Sequence, residues 1–311
     1  MIKRTLYFGN PAYLKLSNEQ MVVESSLPIA VRNEEGEEID RIQKSIPVED
    51  AGIVILDHQQ ITITQALLAR LLANNTAVIT CDQTHHPAGL LLPLDGSSLQ
   101  SLKFRFQIEA SQPLKKQLWQ QTVVAKIGNQ AGMLRFRREE NKLLLKLTEN
   151  VKSGDSDNHE AQAAVYYWKK LFPAEIGFRR ERYGPPPNNL LNYGYAILRA
   201  LTARSLTISG LLPTLGIHHR SQYNAYCLAD DIMEPYRPYV DYVVFQLVRD
   251  NGQFLEITPS MKKALLEIPA MDVKMEGKKS PLMNAMQRTT ASLAKCFEGT
   301  ARKMLYPEFH L

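Results

Sequence analysis

The apolar residues of this 311-residue chain change their spacing near Ser98. Ahead of that point they come in short β-branched or aromatic runs broken by turn residues. Beyond it they recur about every 3.6 residues, the repeat of one helix face. A sheet needs side chains that alternate across it, whereas a helix needs a single stripe. The switch therefore predicts an α+β chain: an N-terminal β-rich domain over 1–82, a linker over 83–98, and a larger all-α domain over 99–311.

The front third reads as strands. Leu6-Tyr7-Phe8 runs into Gly9-Asn10-Pro11, and Ile53-Val54-Ile55-Leu56 is continuous enough for a strand buried on both faces. The tract Asn33–Glu38 reads as a hairpin tip around Gly36. Thr64 is a helix-capping residue ahead of Ala66, Leu67, Ala69, Leu71 and Leu72, and Ala77–Cys81 returns to strand. Residues 53–81 thus form one small strand–helix–strand unit. His85-His86 reads as loop surface.

The back two thirds read as helices. One begins after Pro113 and runs through Leu114, Leu118, Val123 and Ile127. Another opens with Asn158 as its cap and ends near Phe172, before Pro173. Arg179–Pro187 is a basic connector stiffened by three prolines, after which Asn188 caps a further helix. A helix over 222–234 is stopped by Pro235, and helix continues from about Ser260, with a weakly ordered tail after Pro307.

Several classes are excluded. No apolar run reaches the 18 or so residues of a membrane span, and the first residues lack a signal peptide's apolar stretch. Cys81, Cys227 and Cys296 are far apart, which excludes a disulfide framework and suits a reducing cytoplasm. Neither glycine-rich nucleotide-binding pattern occurs. Charge is segregated. Residues 1–98 carry 7 Lys and Arg against 12 Asp and Glu, and residues 99–311 carry 30 against 20. The back therefore bears a net +10, which suits a polyanionic partner.

Three acidic residues draw attention. Glu160 stands in a helix's first turn, where the helix dipole favours a negative charge. Asp231 and Glu234 are three apart and share a face if the segment is helical. Two carboxylates so placed repel unless a cation lies between them. With His218-His219 nearby, the set suits a hard cation held by oxygens and one imidazole. A solvated acidic face accounts for the same residues.

Four ordered motifs tip this balance. They are Asn158-His159-Glu160-Ala161-Gln162-Ala163-Ala164 with Tyr166-Tyr167-Trp168, Asn188-Asn189-Leu190-Leu191-Asn192-Tyr193-Gly194-Tyr195, Leu211-Leu212-Pro213-Thr214-Leu215-Gly216-Ile217-His218-His219, and Asp231-Ile232-Met233-Glu234-Pro235-Tyr236-Arg237-Pro238. With them the chain resembles the CRISPR-associated spacer-acquisition integrases over nearly its whole length, most of all those of type II systems. Many members have glycine where this chain has Ala161.

That resemblance implies a metal-dependent DNA endonuclease and integrase. It would join short foreign fragments into a CRISPR repeat array by attack of a 3′-hydroxyl on a phosphodiester. It places the catalytic, metal-binding residues at Glu160, His219 (rather than His218) and Glu234, with Asp231 as a possible additional acidic residue and Mg²⁺ or Mn²⁺ as cofactor. It implies double-stranded DNA as partner, a homodimer formed through the β domain, a small companion subunit and type II effector proteins, in the cytoplasm and away from membranes. Arg179, Arg180, Arg182, Lys262 and Lys263 are candidate DNA contacts. The competing reading is a DNA-binding scaffold without catalysis, which need not keep all three site residues.

Overall fold

The computed structural model describes residues 3–25, 43–83, 85, 87–94, 97–252 and 254–310. The hairpin tip expected at 33–38 and His86 lie outside the described residues. The chain divides into two compact units, Met1–Leu94 and Asp95–Leu311.

The first unit contains β1 (Arg4–Phe8), β2 (Ala12–Ser17), β3 (Gln20–Ser25), β4 (Gln43–Pro47), β5 (Ala51–Leu56), β6 (Thr62–Ile63), α1 (Gln65–Ala73), β7 (Ala77–Cys81) and β8 (Pro87–Leu91). Among the described residues these strands form two four-stranded sheets, ordered β1-β5-β7-β8 and β4-β3-β2-β6. β5 pairs in parallel with β1 and β7, which is why its run is apolar throughout. Thr64 caps α1 by accepting from the Leu67 amide, as its position suggests. Leu67 and Leu71 of α1 join Leu14, Met21, Val54 and Val78 in one core. The expected linker is partly strand: β8 pairs antiparallel with β7. Pro87 stands at the start of this edge strand, where a missing amide does no harm. His85 lies on the surface with Nδ1 2.9 Å from Asp57.

The second unit contains α2 (Gln100–Glu109), α3 (Gln112–Phe136), α4 (Lys142–Asn150), α5 (His159–Leu171), α6 (Asn188–Ile208), α7 (Cys227–Met233), α8 (Arg237–Asn251), α9 (Pro259–Leu266), β9 (Asp272–Met275), β10 (Lys278–Pro281) and α10 (Leu282–Phe297). α3 is central, packing against α4, α5 and α8. It begins at Ser111, whose hydroxyl accepts from the Leu114 amide, with Pro113 in the first turn. Among the described residues no helix is long and apolar enough to cross a membrane.

Further expectations change in this unit. The helical unit includes the β9–β10 hairpin, whose turn residues Glu276 and Gly277 both have positive φ, as a tight two-residue hairpin turn requires. The expected helix over 222–234 is only α7, and Glu234 starts a 3₁₀ turn with Pro235 and Tyr236. The tail after Pro307 is anchored: Glu308 donates its amide to Lys274, Phe309 donates its own to Asn129 Oδ1, and the Phe309 ring is buried beside Tyr239.

Candidate active site

Glu160 lies in the first turn of α5, as expected, but Asn158 is not its side-chain cap. Asn158 is left-handed (φ 55°) and makes no capping bond. The buried Asp155 caps instead, accepting from the His159 amide at 2.9 Å and the Glu160 amide at 3.0 Å. Two helix-start donors are thereby satisfied from one turn upstream. The chain reaches that position through left-handed Gly154 and Asp155, with Gly154 packed beneath Lys116.

The loop bearing the histidines is organised by Asp231. This carboxylate is fully buried. It accepts from the Ile217, His218 and His219 amides at 2.7, 2.9 and 3.2 Å and stands 2.5 Å from His219 Nδ1. A carboxylate only accepts, so Nδ1 carries the proton and Nε2 keeps its lone pair. The Asp231 hydrogen bond raises the imidazole above its ordinary pKa, against the opposing effect of burial. Gly216 is required by close approach: a Cβ there would overlap the His219 carbonyl and press on Asp231. From α2, the Gln107 amide group binds both Leu212 and the Leu215 carbonyl. Trp119 of α3 stacks on His218 with ring centroids 4.1 Å apart and meets His219 edge-on.

Glu234 faces elsewhere. Asn129 of α3 donates to the Pro235 carbonyl at 2.7 Å and so holds the 3₁₀ turn that presents Glu234. Glu234 Oε1 pairs with Arg237 at 2.8 Å, and Oε2 lies 2.7 Å from Lys126 Nζ. The same ammonium is 2.6 Å from Glu160 Oε1. Both glutamates therefore converge on one cation. Burial opposes ionisation of Glu234, but Arg237 and Lys126 outweigh it and hold its pKa below the usual carboxylate range. Burial would likewise discharge Lys126, and Glu234 and Glu160 outweigh that in turn. The charges of Glu234 and Glu160 also reach the His219 ring.

The structure thus brings Glu160 and Glu234 onto one ammonium and commits Asp231 to the histidine loop. The adjacent Asp230 differs again, taking a two-pronged pair from Arg199 at 2.7 and 3.1 Å. Among the described residues, no three His, Cys, Asp or Glu side chains are grouped closely enough to hold an ion as they stand.

Comparison with known proteins places the chain in a family. The family model for CRISPR associated protein Cas1 matches residues 6–256, a span that includes Glu160, His219 and Glu234. The CRISPR-associated endonuclease Cas1 of Neisseria meningitidis serogroup C is 34% identical, over 99% of this chain and 97% of its own. This chain belongs to the Cas1 family. A second endonuclease Cas1, from Pyrobaculum aerophilum, is 28% identical over 81% of this chain and 90% of its own. Among solved structures, a casposase bound to integration product superposes with a TM-score of 0.77 at 20% identity, covering 98% of this chain and 92% of that one. A Cas1 protein from Thermotoga maritima gives 0.74 at 19%, covering 95% and 97%. At such identities these two establish the shared fold.

Within this Cas1 chain the basic candidates separate. Arg179 and Arg182 are exposed. Arg180 is turned inward, held by the Asn188 and Asn192 side-chain oxygens at 2.8 Å each and stacked on Tyr195. Lys262 is half-buried against the Tyr193 ring, and Lys263 is exposed. Asn188 is the first residue of α6 rather than its cap, and its side chain ties the connector together at Arg179, Glu181 and Pro185. Sequence reasoning missed Trp119, Lys126 and Asp155. Lys126 had one readable sign: it falls on the buried stripe Trp119–Val123–Gln130, where an unpaired charge would be costly.

Proposed function

We propose that this protein is a divalent-metal-dependent DNA endonuclease and integrase of CRISPR adaptation. The reading rests above all on one observation: Glu160 and Glu234, far apart in sequence, meet at a single positive charge, and the charges of both act on the His219 ring.

The donor set suits Mg²⁺ or Mn²⁺. Two carboxylates are already arranged around a cation, and the imidazole offers Nε2 because Asp231 engages Nδ1. Glu160, Glu234 and His219 would hold the ion. When bound, it would polarise the phosphodiester and offset the charge that develops there. The chain's own groups prepare the site. Asp231 fixes the His219 ring, as second-rank partners of ligating histidines commonly do. Arg237 keeps Glu234 ionised in a buried setting, and Trp119 braces the histidine loop. The 3′-hydroxyl of a short DNA fragment is the attacking group in integration, and water in cleavage.

Double-stranded DNA, both fragment and repeat, is the substrate. The net +10 of residues 99–311 suits phosphate contacts, with Arg179, Arg182 and Lys263 the exposed candidates. The related casposase was solved bound to an integration product. A homodimer through the β-rich unit and a small Cas companion complete the assembly. In support, a Cas6-RT-Cas1–Cas2 complex contains a region of the same fold, with a TM-score of 0.75 over 100% of this chain and 37% of that one. The unbridged cysteines suit the cytoplasm.

The deciding experiment is integration of a labelled short duplex into a repeat-containing plasmid, with the companion subunit, with and without Mn²⁺. Products that depend on the metal and on Glu160 support the reading. Metal-independent joining would overturn it.

A further inference from the structure

Among the described residues of the second unit, no other cation is placed like Lys126. Its side chain is 11% exposed, and its ammonium stands between Glu160 Oε1 and Glu234 Oε2 at 2.6 and 2.7 Å. Those are the carboxylates assigned above to the divalent ion. The two glutamates, Lys126 and Arg237 balance one another in charge. Adding a dication while the ammonium remained would place four positive charges, Arg237 included, on two carboxylates in a poorly screened pocket.

The two cations are not equivalent. Arg237 presents a planar fork, pairs with Glu234 Oε1 and stacks on the Tyr195 ring at 4.7 Å. Lys126 is a point charge on a flexible four-carbon stem. It meets each glutamate through a single oxygen, Glu160 Oε1 and Glu234 Oε2, without the fork that fixes a guanidinium on a carboxylate. Single-point contacts of this kind can be taken over by another cation. We propose that Lys126 is an internal counter-ion, holding Glu160 and Glu234 apart and ionised in the metal-free protein and giving up its place when Mg²⁺ or Mn²⁺ binds. The proposal rests on the metal site assigned above and adds what occupies it beforehand.

The test is Mn²⁺ binding to the full chain, read by electron paramagnetic resonance, for wild type, Lys126→Met and Glu160→Gln. Lys126→Met should bind Mn²⁺ more tightly, by about tenfold, the effect of losing one close competing charge. Without metal it should melt below wild type, because two buried carboxylates then face each other, and Mn²⁺ should close that gap. Unchanged or weaker Mn²⁺ binding by a folded Lys126→Met protein would overturn the proposal alone, provided Glu160→Gln abolishes binding. Binding that survives Glu160→Gln would overturn the metal site and this inference together. Should Lys126→Met fail to fold, wild type still decides. Amine acylation read by mass spectrometry should find Lys126 protected without Mg²⁺ and reactive with it, and protection unchanged at saturating Mg²⁺ overturns the exchange.

Discussion

At the scale of single residues, position in sequence and role in space diverge sharply. Asp231 and Glu234 are three apart, yet one is saturated by the histidine loop and the other faces Lys126 and Arg237. Glu160→Gln should therefore abolish cleavage and strand transfer while DNA binding, measured by gel shift, stays largely intact. Full activity of that variant with Mn²⁺ removes the assignment. Asp231→Ala should act through the fold instead. It strands three amides, each costing about 1–3 kcal/mol, so thermal unfolding should fall by roughly 5 °C or more. His219→Ala should abolish activity, and His218→Ala, which removes only a ring stacked on Trp119, should be milder. A separate residue sets a pH dependence. Burial pushes the Asp241 carboxyl up to about 7, even though Tyr167 and Tyr195 both donate to it. Its folded pKa lies above the unfolded one, so the folded state binds the extra proton between about pH 4 and 7. Stability should fall across that window by at most about 1.4 kcal/mol per pH unit and level off above it. Asp241→Asn should flatten this slope in melting curves between pH 5 and 8. An unchanged slope would show that other groups set it.

At the scale of elements, the site is assembled by pieces that do not themselves react. α3 contributes Trp119, Lys126 and Asn129, which address the histidine loop, the two glutamates and the Pro235 turn in succession along one helix. Spacings of three and seven put these side chains on one face. The histidine loop is anchored at its start by Gln107 and by the Pro213 carbonyl, which accepts from the Leu228 and Ala229 amides of α7, and at its end by Asp231. Its tightest point is Gly216. Gly216→Ala should lower activity by about a hundredfold, the usual cost of displacing a reacting group by about 1 Å. Helix content by circular dichroism should stay unchanged. The same loop limits what periodicity can reveal: residues 220–226 precede α7 without being helical, because Asn224 and Tyr226 form a turn around Asp230 instead.

At the scale of the whole molecule, charge separates along the chain. The acidic residues dominate the first 98 positions, and the basic excess sits in the rest, with the proposed metal site. DNA affinity should therefore drop steeply with salt, through release of counterions. Arg179→Glu/Arg182→Glu should reduce the slope of log affinity against log salt by about 2, one for each phosphate no longer neutralised. Melting temperature should not change, because both guanidinium groups lie in exposed positions. A slope that does not change would place the DNA elsewhere on the unit. Arg180 should behave oppositely. Its side chain holds the connector to Asn188 and Asn192, so Arg180→Ala should lower stability as well as binding.

The amino-acid sequence by itself determined what depends on neighbours along the chain. The switch of periodicity near Ser98, the cap at Thr64, the helix start at Pro113 and the strand–helix–strand unit over 53–81 all follow from local rules, and these elements stand where those rules put them. The four ordered motifs marked Glu160, His219 and Glu234. Tertiary structure decided what depends on residues brought together from far apart. Lys126 lies 34 residues from Glu160 by sequence, and no local pattern pairs them. Asp231 could be separated from Glu234 only once α7 ended at Met233 and the chain turned. The tail became ordered because Asn129 and Lys274 supply partners for its backbone. Capping and periodicity act within a turn or two, whereas a buried charge must find its counter-charge wherever the fold delivers it.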